Sequence, residues 1–282
     1  MDVFVTADWL YDRIKESAEL DIVVLDTRFE LTDPEAGKQA YLQGHIPGAV
    51  HFDLNQDLSG EKGEHGGSHP LPEPETFAEK LGNAGIGSQT TVVIYDQGND
   101  MFAARCWWLL TYYGHERTFL LEGGLESWEK HGYSLSREIP VPKPKTFLPD
   151  IQDHQVVDID YVKQKMVDST SHLIDSRSPQ RYLGKTEPLY QKAGHIPGAT
   201  NYFWKQVLTD TGRWKSDEEL KMHFAPLPPA EEIIVSCGSG VSACPNILAL
   251  QAAGYQNVKL YPGSFSDWIS YPENKVSTRM DG

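Results

Sequence analysis

The chain carries the same series of motifs twice, and this duplication limits the folds that are open to it. A Gly-His-Ile-Pro-Gly-Ala turn occurs at 44–49 and again at 194–199, and an Asp-x-Arg motif precedes it both times. The offset between the copies falls from about 150 to about 140 residues along the chain. Such a long period indicates a duplicated domain rather than a short-period solenoid. A length of 282 residues suits two ordinary domains.

Both halves alternate short apolar runs with longer stretches of helical periodicity. The runs 92–95 and 233–236 are rich in β-branched residues, as expected for central strands of a parallel sheet. Alternating strands and helices predict an α/β fold with two tandem domains, each a parallel sheet flanked by helices. Because 140–145 is rich in proline, we expect a first domain over 1–138, a linker over 139–154 and a second domain over 155–282.

Composition excludes several classes of partner. The formal net charge of −15 argues against nucleic acid and anionic membranes as partners. No apolar run approaches transmembrane length, and the N-terminus lacks a signal-peptide pattern. Three cysteines without a C-x-x-C motif predict neither a disulfide framework nor a zinc site. A cytoplasmic protein without a metal is therefore expected.

The loop 237–243, Cys-Gly-Ser-Gly-Val-Ser-Ala, follows the buried strand of the second half. Gly238 and Gly240 allow a sharp turn that points successive N–H groups inward. Ser242 is expected to cap the next helix, with Pro245 in its first turn. Because amide donors backed by a helix dipole attract anions, we expect a depressed pKa for the Cys237 thiol.

The duplication also separates scaffold from chemistry. His45 and His195 occur in both copies and are therefore interpreted as turn residues, and the two Asp-x-Arg motifs as ion pairs that hold the fold. Cys237 has no thiol counterpart, because Asp96 occupies its position in the first half. The second half is therefore expected to carry the chemistry.

Arg181 is a further feature of the second half alone. It lies six residues after Asp175, whereas the first half has Thr32 at the matching position. A loop beyond the carboxyl end of a strand is where α/β sheets place ligands. A guanidinium there can bind a carboxylate or sulfonate through two parallel hydrogen bonds. A solvated surface arginine is the alternative.

These motifs together resemble the tandem-domain sulfurtransferases of the rhodanese superfamily, along essentially the whole chain. The resemblance is carried by the Asp-x-Arg strands, the two turns, the Trp107-Trp108 helix and above all the loop 237–243. It implies an inactive N-terminal domain and a C-terminal domain whose cysteine accepts a sulfane sulfur as a persulfide. The sulfur then passes to a thiol, such as that of thioredoxin, or to cyanide, without a metal or organic cofactor.

The resemblance also bears on the sulfur donor. The neutral pair Gly238-Ser239 is similar to the branch that uses 3-mercaptopyruvate, whereas the thiosulfate branch has a basic pair there. Arg181 resembles the family arginine that holds the donor carboxylate. A second family arginine is missing, and the shortened segment before the turn offers only Lys192 or Lys185. The expected substrate-binding residues are thus Arg181, Lys192, Gly238, Gly240, Val241 and Ser242.

A relay of serine, histidine and an acid is a further feature of the mercaptopyruvate branch. Ser239 matches its serine and His69 its histidine, so that Cys237, Ser239 and His69 are the expected catalytic residues. The acid position falls on Asn55, which cannot stabilise an imidazolium by charge, and Asp53 is a possible substitute. A solvated, histidine-rich loop is the alternative reading of the segment around His69.

Three other functions are alternatives to this one. Thiosulfate:cyanide sulfur transfer stays open as the donor alternative, and a non-catalytic persulfide carrier or binding module as the other. A cysteine phosphatase of related fold needs an arginine six residues after the cysteine, where this chain has Ala243. The loop is also one residue too short to wrap a phosphate.

Overall fold

A computed structural model describes residues 3–16, 21–166 and 171–280. The chain divides into two compact units, Met1–Gly60 with Pro72–Gln152, and Glu61–Leu71 with Asp153–Gly282. The segment 61–71 thus packs with the second unit although it is encoded in the first half of the sequence. The predicted first domain, 1–138, includes this segment.

The first unit is built on a five-stranded sheet in which every described pairing is parallel. Its strands, in chain order, are β1 (Phe4–Val5), β2 (Ile22–Asp26), β3 (Val50–His51), β4 (Thr91–Tyr95) and β5 (Thr118–Leu121). They are arranged in the order β1-β5-β4-β2-β3. The central β4 has four buried residues in succession, as a strand covered on both faces requires.

Five helices surround this sheet: α1 (Ala7–Glu16), α2 (Ala36–Gln43), α3 (Pro74–Asn83), α4 (Met101–Tyr112) and α5 (Gly124–Lys130). The Thr6 hydroxyl accepts a hydrogen bond from the Trp9 N–H at 3.2 Å and so caps the start of α1. Pro74 opens α3, because proline lacks only an N–H that has no helical partner at that position.

The second unit repeats the plan with a four-stranded parallel sheet. Its strands are β6 (Ser171–Asp175), β7 (Thr200–Asn201), β8 (Glu232–Ser236) and β9 (Val258–Leu260), in the spatial order β7-β6-β8-β9. All five residues of the central β8 are buried. The predicted fold class, two domains with helix-flanked parallel sheets, is therefore confirmed.

The helices of the second unit are α6 (Ile159–Lys165), α7 (Pro179–Tyr182), α8 (Asp217–Phe224), α9 (Cys244–Ala252) and α10 (Ser264–Trp268). A capping box formed by Ser216 and Glu219 starts α8. The prediction that Ser242 caps α9 is wrong, because a tight turn from Val241 to Cys244 delays the helix and leaves Ala243 at the boundary. Among the described helices of both units, none combines the length and apolarity needed to cross a bilayer.

The two Asp-x-Arg motifs form buried ion pairs at the carboxyl ends of β2 and β6. Arg28 and Asp26 approach to 2.6 Å, and so do Arg177 and Asp175. Each guanidinium also donates to the carbonyl of the first glycine in the following turn, at 2.8 and 2.7 Å. The pairs therefore tie strand to turn in both units, which confirms their predicted role in the scaffold.

The repeated histidines are fully buried turn residues, as the duplication indicated. His45 Nδ1 lies 2.8 Å from the Tyr41 carbonyl oxygen, and His195 Nδ1 lies 2.7 Å from that of Tyr182. Each ring stacks on the same tyrosine, with ring centroids 4.0 and 3.6 Å apart. Two equivalent contacts in two units indicate a structural function.

Replacing either histidine should therefore destabilise its own unit. We expect His45→Ala and His195→Ala each to lower the free energy of unfolding by about 2–4 kcal/mol, because a buried ring and its hydrogen bond are lost together. Urea unfolding followed by circular dichroism would measure this. A loss for one variant only would contradict the equivalence of the two turns.

Candidate active site

Cys237 is the first residue after β8 and is 1% exposed. Its N–H donates to the Ser264 hydroxyl at 3.0 Å, and its carbonyl accepts from the Phe265 N–H at 3.1 Å. Ser264 adopts a left-handed conformation with φ of +52°, which is strained for a residue other than glycine. The start of α10 thus holds the backbone of the cysteine in place.

The loop after Cys237 contains several amide N–H groups without an acceptor among the described residues. Gly240 has φ of +75°, and a Cβ on it would lie 2.5 Å from the Pro262 carbonyl oxygen, so the loop packs closely against the chain before α10. Within the described ranges, five loop amides donate to no acceptor: those of Gly238, Ser239, Val241, Ser242 and Ala243. The loop therefore has the N–H groups that a bound anion requires.

The matching loop of the first unit shows what such amides bind. Asp96 is the first residue after β4 and is 1% exposed. Its Oδ1 accepts from the N–H groups of Gly98 and Asp100 at 2.9 and 3.0 Å. Its Oδ2 accepts from those of Phe102 and Ala103 at 3.1 and 3.4 Å. The chain's own carboxylate thus occupies a cradle of four amides.

Three of these four donors have counterparts in the second unit. At the same offsets of two, four and six residues after Cys237 lie the amides of Ser239, Val241 and Ala243, which have no acceptor among the described residues, although α9 begins two residues later after Cys237 than α4 begins after Asp96. With Cys237 in place of the aspartate, these amides have no carboxylate to bind. The thiol side chain is too short by one atom to place an anionic group where the Asp96 oxygens lie.

His69 and Ser239 are brought together although they lie 170 residues apart in the sequence. His69 Nδ1 is 2.7 Å from the Ser239 hydroxyl oxygen. The segment 61–71 is attached to α10, because the Ser68 N–H donates to the Ser266 hydroxyl at 3.0 Å and the Gly66 N–H to Asp267 at 2.7 Å. The histidine is thus held at the cysteine loop rather than in a solvated excursion.

The candidate acids of the relay lie in the first unit. The Asp53 carboxylate accepts from the N–H groups of Asn55 and Gln56 at 2.8 and 2.9 Å, which makes it the cap of a local turn. Asn55 itself is exposed. A catalytic contribution from either residue stays a prediction.

Arg181 lies against the cysteine loop, but a carboxylate of the protein already binds it. Its Nη2 is 3.6 Å from the position that a Cβ of Gly238 would occupy. Its Nε and Nη2 donate to the two oxygens of Glu187 at 3.2 and 2.8 Å. The two parallel bonds expected for a substrate therefore form within the protein. In the described chain, Nη1 has no hydrogen-bond acceptor.

Glu187 is a site residue that sequence reasoning missed. Its side chain is 3% exposed and also approaches Arg177 Nη1 at 3.3 Å. Burial opposes the charge of Arg177, but the negative charges of Asp175, Glu187 and Cys237 raise its pKa above the usual value. An acid six residues after Arg181 in the shortened segment was the only signal in the sequence.

Tyr190 is the second site residue that the sequence did not reveal. Its hydroxyl lies 2.9 Å from the position of a Cβ on Gly238, and its ring centroid is 5.5 Å from the Arg181 guanidinium carbon. Burial and the negative charge of Cys237 raise the pKa of the phenol, so that it stays protonated at neutral pH. Because Tyr190 and Arg181 fill the space beside it, position 238 favours glycine.

Lys192, the remaining predicted binding residue, lies next to Tyr190 rather than in the arginine cluster. It is half-buried and lines a cavity of about 300 Å³ together with Tyr190, Ser68 and Lys62. Lys185 is exposed. Lys192 thus lines a neighbouring cavity.

Comparison with known proteins agrees with this architecture. The sequence pattern of the rhodanese-like domain matches residues 6–131 and 158–271. A Pseudomonas aeruginosa protein named "Probable 3-mercaptopyruvate sulfurtransferase" is 39% identical over 97% of both chains. The thiosulfate sulfurtransferase of Cricetulus griseus is 31% identical over 99% of this chain and 96% of its own. The crystal structure of SseA from Escherichia coli matches with a TM-score of 0.84 at 34% identity, covering 94% of this chain and all of SseA.

The chain therefore belongs to the rhodanese-like family, with one family domain in each half. Its relatives match it along nearly their whole length and are sulfurtransferases, and the chain is an enzyme of this class. This confirms the resemblance inferred from the loop 237–243 and the two repeated turns.

The attachment of His69 can be tested at two adjacent glycines. A Cβ on Gly67, at φ of +88°, would lie 2.5 Å from the Gly263 carbonyl oxygen, whereas a Cβ on Gly66, at φ of +91°, meets nothing within 4 Å. Both alanine variants carry similar backbone strain, so only Gly67→Ala should detach the segment. We expect the peptide 61–71 to exchange its amide hydrogens about tenfold faster in Gly67→Ala than in Gly66→Ala.

Hydrogen exchange followed by mass spectrometry would measure this difference. Equal exchange rates in the two alanine variants would show that the segment is not held by the close approach of Gly67 to α10.

Proposed function

We propose that the chain transfers a sulfane sulfur from 3-mercaptopyruvate, through a persulfide on Cys237, to a thiol or cyanide acceptor. Arg181 binds the donor carboxylate, and the amides of the loop 238–243 stabilise the charged persulfide. The observation that carries this proposal is the occupied amide cradle of Asp96 in the first unit.

The cradle supports a persulfide because the side chain of a cysteine persulfide is as long, counted in bonds, as that of an aspartate. The carboxylate oxygens of Asp96 stand three bonds from its Cα, and the outer sulfur of a Cys237 persulfide stands three bonds from its own. A thiolate that gains one sulfur therefore extends its negative charge toward amides equivalent to those that Asp96 binds. Hydrogen bonds to a charged group are about twice as strong as neutral ones, so the loop favours the sulfur-loaded state.

The transfer step balances without a cofactor. The Cys237 thiolate attacks the donor sulfur, an S–S bond forms and the C–S bond breaks, leaving the enolate of pyruvate. The proton of the donor thiol moves from the persulfide to the methylene carbon, which gives pyruvate and a persulfide anion. In the second half-reaction the acceptor thiolate, or cyanide, takes the outer sulfur and regenerates the cysteine.

The hydrogen bond between Ser239 and His69 supports a role for this pair in moving that proton. Their contact of 2.7 Å is within the range needed for proton transfer between the hydroxyl and the imidazole. Thiosulfate needs no such step, since its sulfane sulfur passes to the cysteine and sulfite leaves without a proton changing place. The pair therefore suits a thiol donor such as 3-mercaptopyruvate.

The loop composition supports the same donor. Gly238 and Ser239 add no positive charge beside the cysteine, and a monocarboxylate needs less charge compensation than a dianion such as thiosulfate. The Pseudomonas aeruginosa relative is named for 3-mercaptopyruvate, whereas the Cricetulus griseus relative is named for thiosulfate. The ratio of kcat/KM for the two donors decides between them.

A reducing compartment suits this chemistry. Cys106, Cys237 and Cys244 are all free thiols in the structure, and a cysteine that carries sulfur must not be lost to a disulfide. We place the enzyme in the cytoplasm, where a reduced protein thiol such as that of thioredoxin is a suitable acceptor.

The persulfide provides the direct test. After incubation with 3-mercaptopyruvate and removal of small molecules, intact mass spectrometry should show a gain of one sulfur atom, and Cys237→Ser should show none. Cys244→Ser is the matched control and should keep the gain. An adduct that survives Cys237→Ser refutes the mechanism, and a loaded protein that turns over with neither a thiol nor cyanide is a carrier rather than an enzyme.

The proton step gives a second test. We expect Ser239→Ala and His69→Gln to lower kcat/KM for 3-mercaptopyruvate by about 10- to 100-fold, because general acid–base assistance is lost. Turnover of thiosulfate should change by less than about threefold, since no proton moves with that donor. Steady-state kinetics with cyanide as the common acceptor measures both, and an equal loss for the two donors would contradict the role of the pair.

A further inference from the structure

We infer that Glu187 is a specificity-determining residue that selects the charge of the sulfur donor, admitting monoanions and disfavouring dianions. The inference rests on the proposed function, because it concerns the donor that Arg181 binds beside Cys237. Neither the sequence motifs nor the repeat assigns a role to this residue.

The carboxylate of Glu187 is fixed in place by four donors. Arg181 approaches it with Nε at 3.2 Å and with Nη2 at 2.8 Å, and Arg177 approaches it with Nη1 at 3.3 Å. The Leu189 N–H donates to the same group at 3.1 Å. Because the side chain is only 3% exposed, its charge is poorly screened by solvent.

The two arginines and two acids of this cluster carry no net charge between them. Arg177 is compensated by Asp175, with a shortest contact of 2.6 Å, and Arg181 is compensated by Glu187. The donor therefore meets no excess positive charge beyond the hydrogen-bonding capacity of Arg181 and the loop amides. A single carboxylate can bind there, but a second negative charge would face the Glu187 carboxylate without a cation to offset it.

A purely structural role for Glu187 explains less of this arrangement than a charge-selecting role does. Arg177 is already held by Asp175 through Nε and Nη2 and by the Gly194 carbonyl at 2.7 Å, without Glu187. Arg181 Nη1 has no acceptor in the described chain, so it can donate to a substrate while Glu187 keeps the rest of the guanidinium in position. Glu187 therefore positions Arg181 and also cancels its charge.

Removal of this charge should shift donor preference. At an effective dielectric constant of about 20, a unit charge within several ångströms changes the binding of a dianion relative to a monoanion by about 10- to 100-fold. We expect Glu187→Gln to raise the ratio of kcat/KM for thiosulfate to that for 3-mercaptopyruvate by at least tenfold. Glutamine keeps the shape of the side chain and one acceptor oxygen for Arg181.

A matched control separates the effect of the charge at Glu187 from the effect of the net charge of the protein. Glu218 is exposed on α8 of the same unit, and Glu218→Gln removes the same charge from the protein. The donor ratio of this variant should equal that of the wild type. In Glu187→Gln, thiosulfate turnover should also fall more steeply with ionic strength, because attraction between the dianion and an uncompensated arginine is screened by salt. A change in packing alone would not alter that dependence.

The outcomes distinguish this inference from the proposed function. If Cys237 still gains sulfur but the donor ratio of Glu187→Gln stays at the wild-type value or moves toward 3-mercaptopyruvate, the charge-selecting role of Glu187 is wrong and the persulfide mechanism stands. If Cys237 gains no sulfur from either donor in the wild type, the proposed function fails first.

A measurement on the wild-type protein keeps the inference testable even if Glu187→Gln does not fold. Pyruvate, a monoanion, should protect Cys237 from alkylation by iodoacetamide at a concentration at least about tenfold lower than sulfate, a dianion of similar size. Equal protection, or stronger protection by sulfate, would overturn the charge-selecting role.

Discussion

Amide groups at the ends of the two central strands need a negative partner, and the rest of the site depends on how each unit supplies it. A buried N–H without an acceptor costs about 1–3 kcal/mol. The first unit avoids this cost permanently with the Asp96 carboxylate. The second unit, which has Cys237 instead, leaves its loop amides without an acceptor among the described residues. In the proposed mechanism, a charged sulfur on the cysteine supplies such an acceptor.

The charge of the protein as a whole does not describe the charge of its site. The net charge of −15 argues against polyanionic partners, but it contains no information about a local cluster of two arginines and two acids. Arg181 could be located from the sequence because the first half has no arginine at the matching position. Its partner Glu187 could not, because it lies in a segment that the repeat does not share.

Most of the scaffold followed from local rules. The central strands, the α1 cap, the capping box of Ser216 and the structural histidines were all predictable from periodicity, capping chemistry and comparison of the two halves. The Ser242 cap failed because a turn inside the loop moved the helix start by one residue, and propensity does not record such tertiary adjustments. Tyr190 was missed because an isolated tyrosine between motifs carries no periodic signal.

The placement of segment 61–71 has a consequence for how the enzyme is assembled. The Gly66 N–H and its acceptor Asp267 are 201 residues apart in the chain, so this contact closes a very long loop. Contacts between distant parts of a sequence form late, since loop-closure entropy must be overcome before they add stability. His69 therefore arrives at the cysteine only after both ends of the polypeptide have been synthesised, and a C-terminal fragment released by proteolysis would retain the nucleophile but not its histidine.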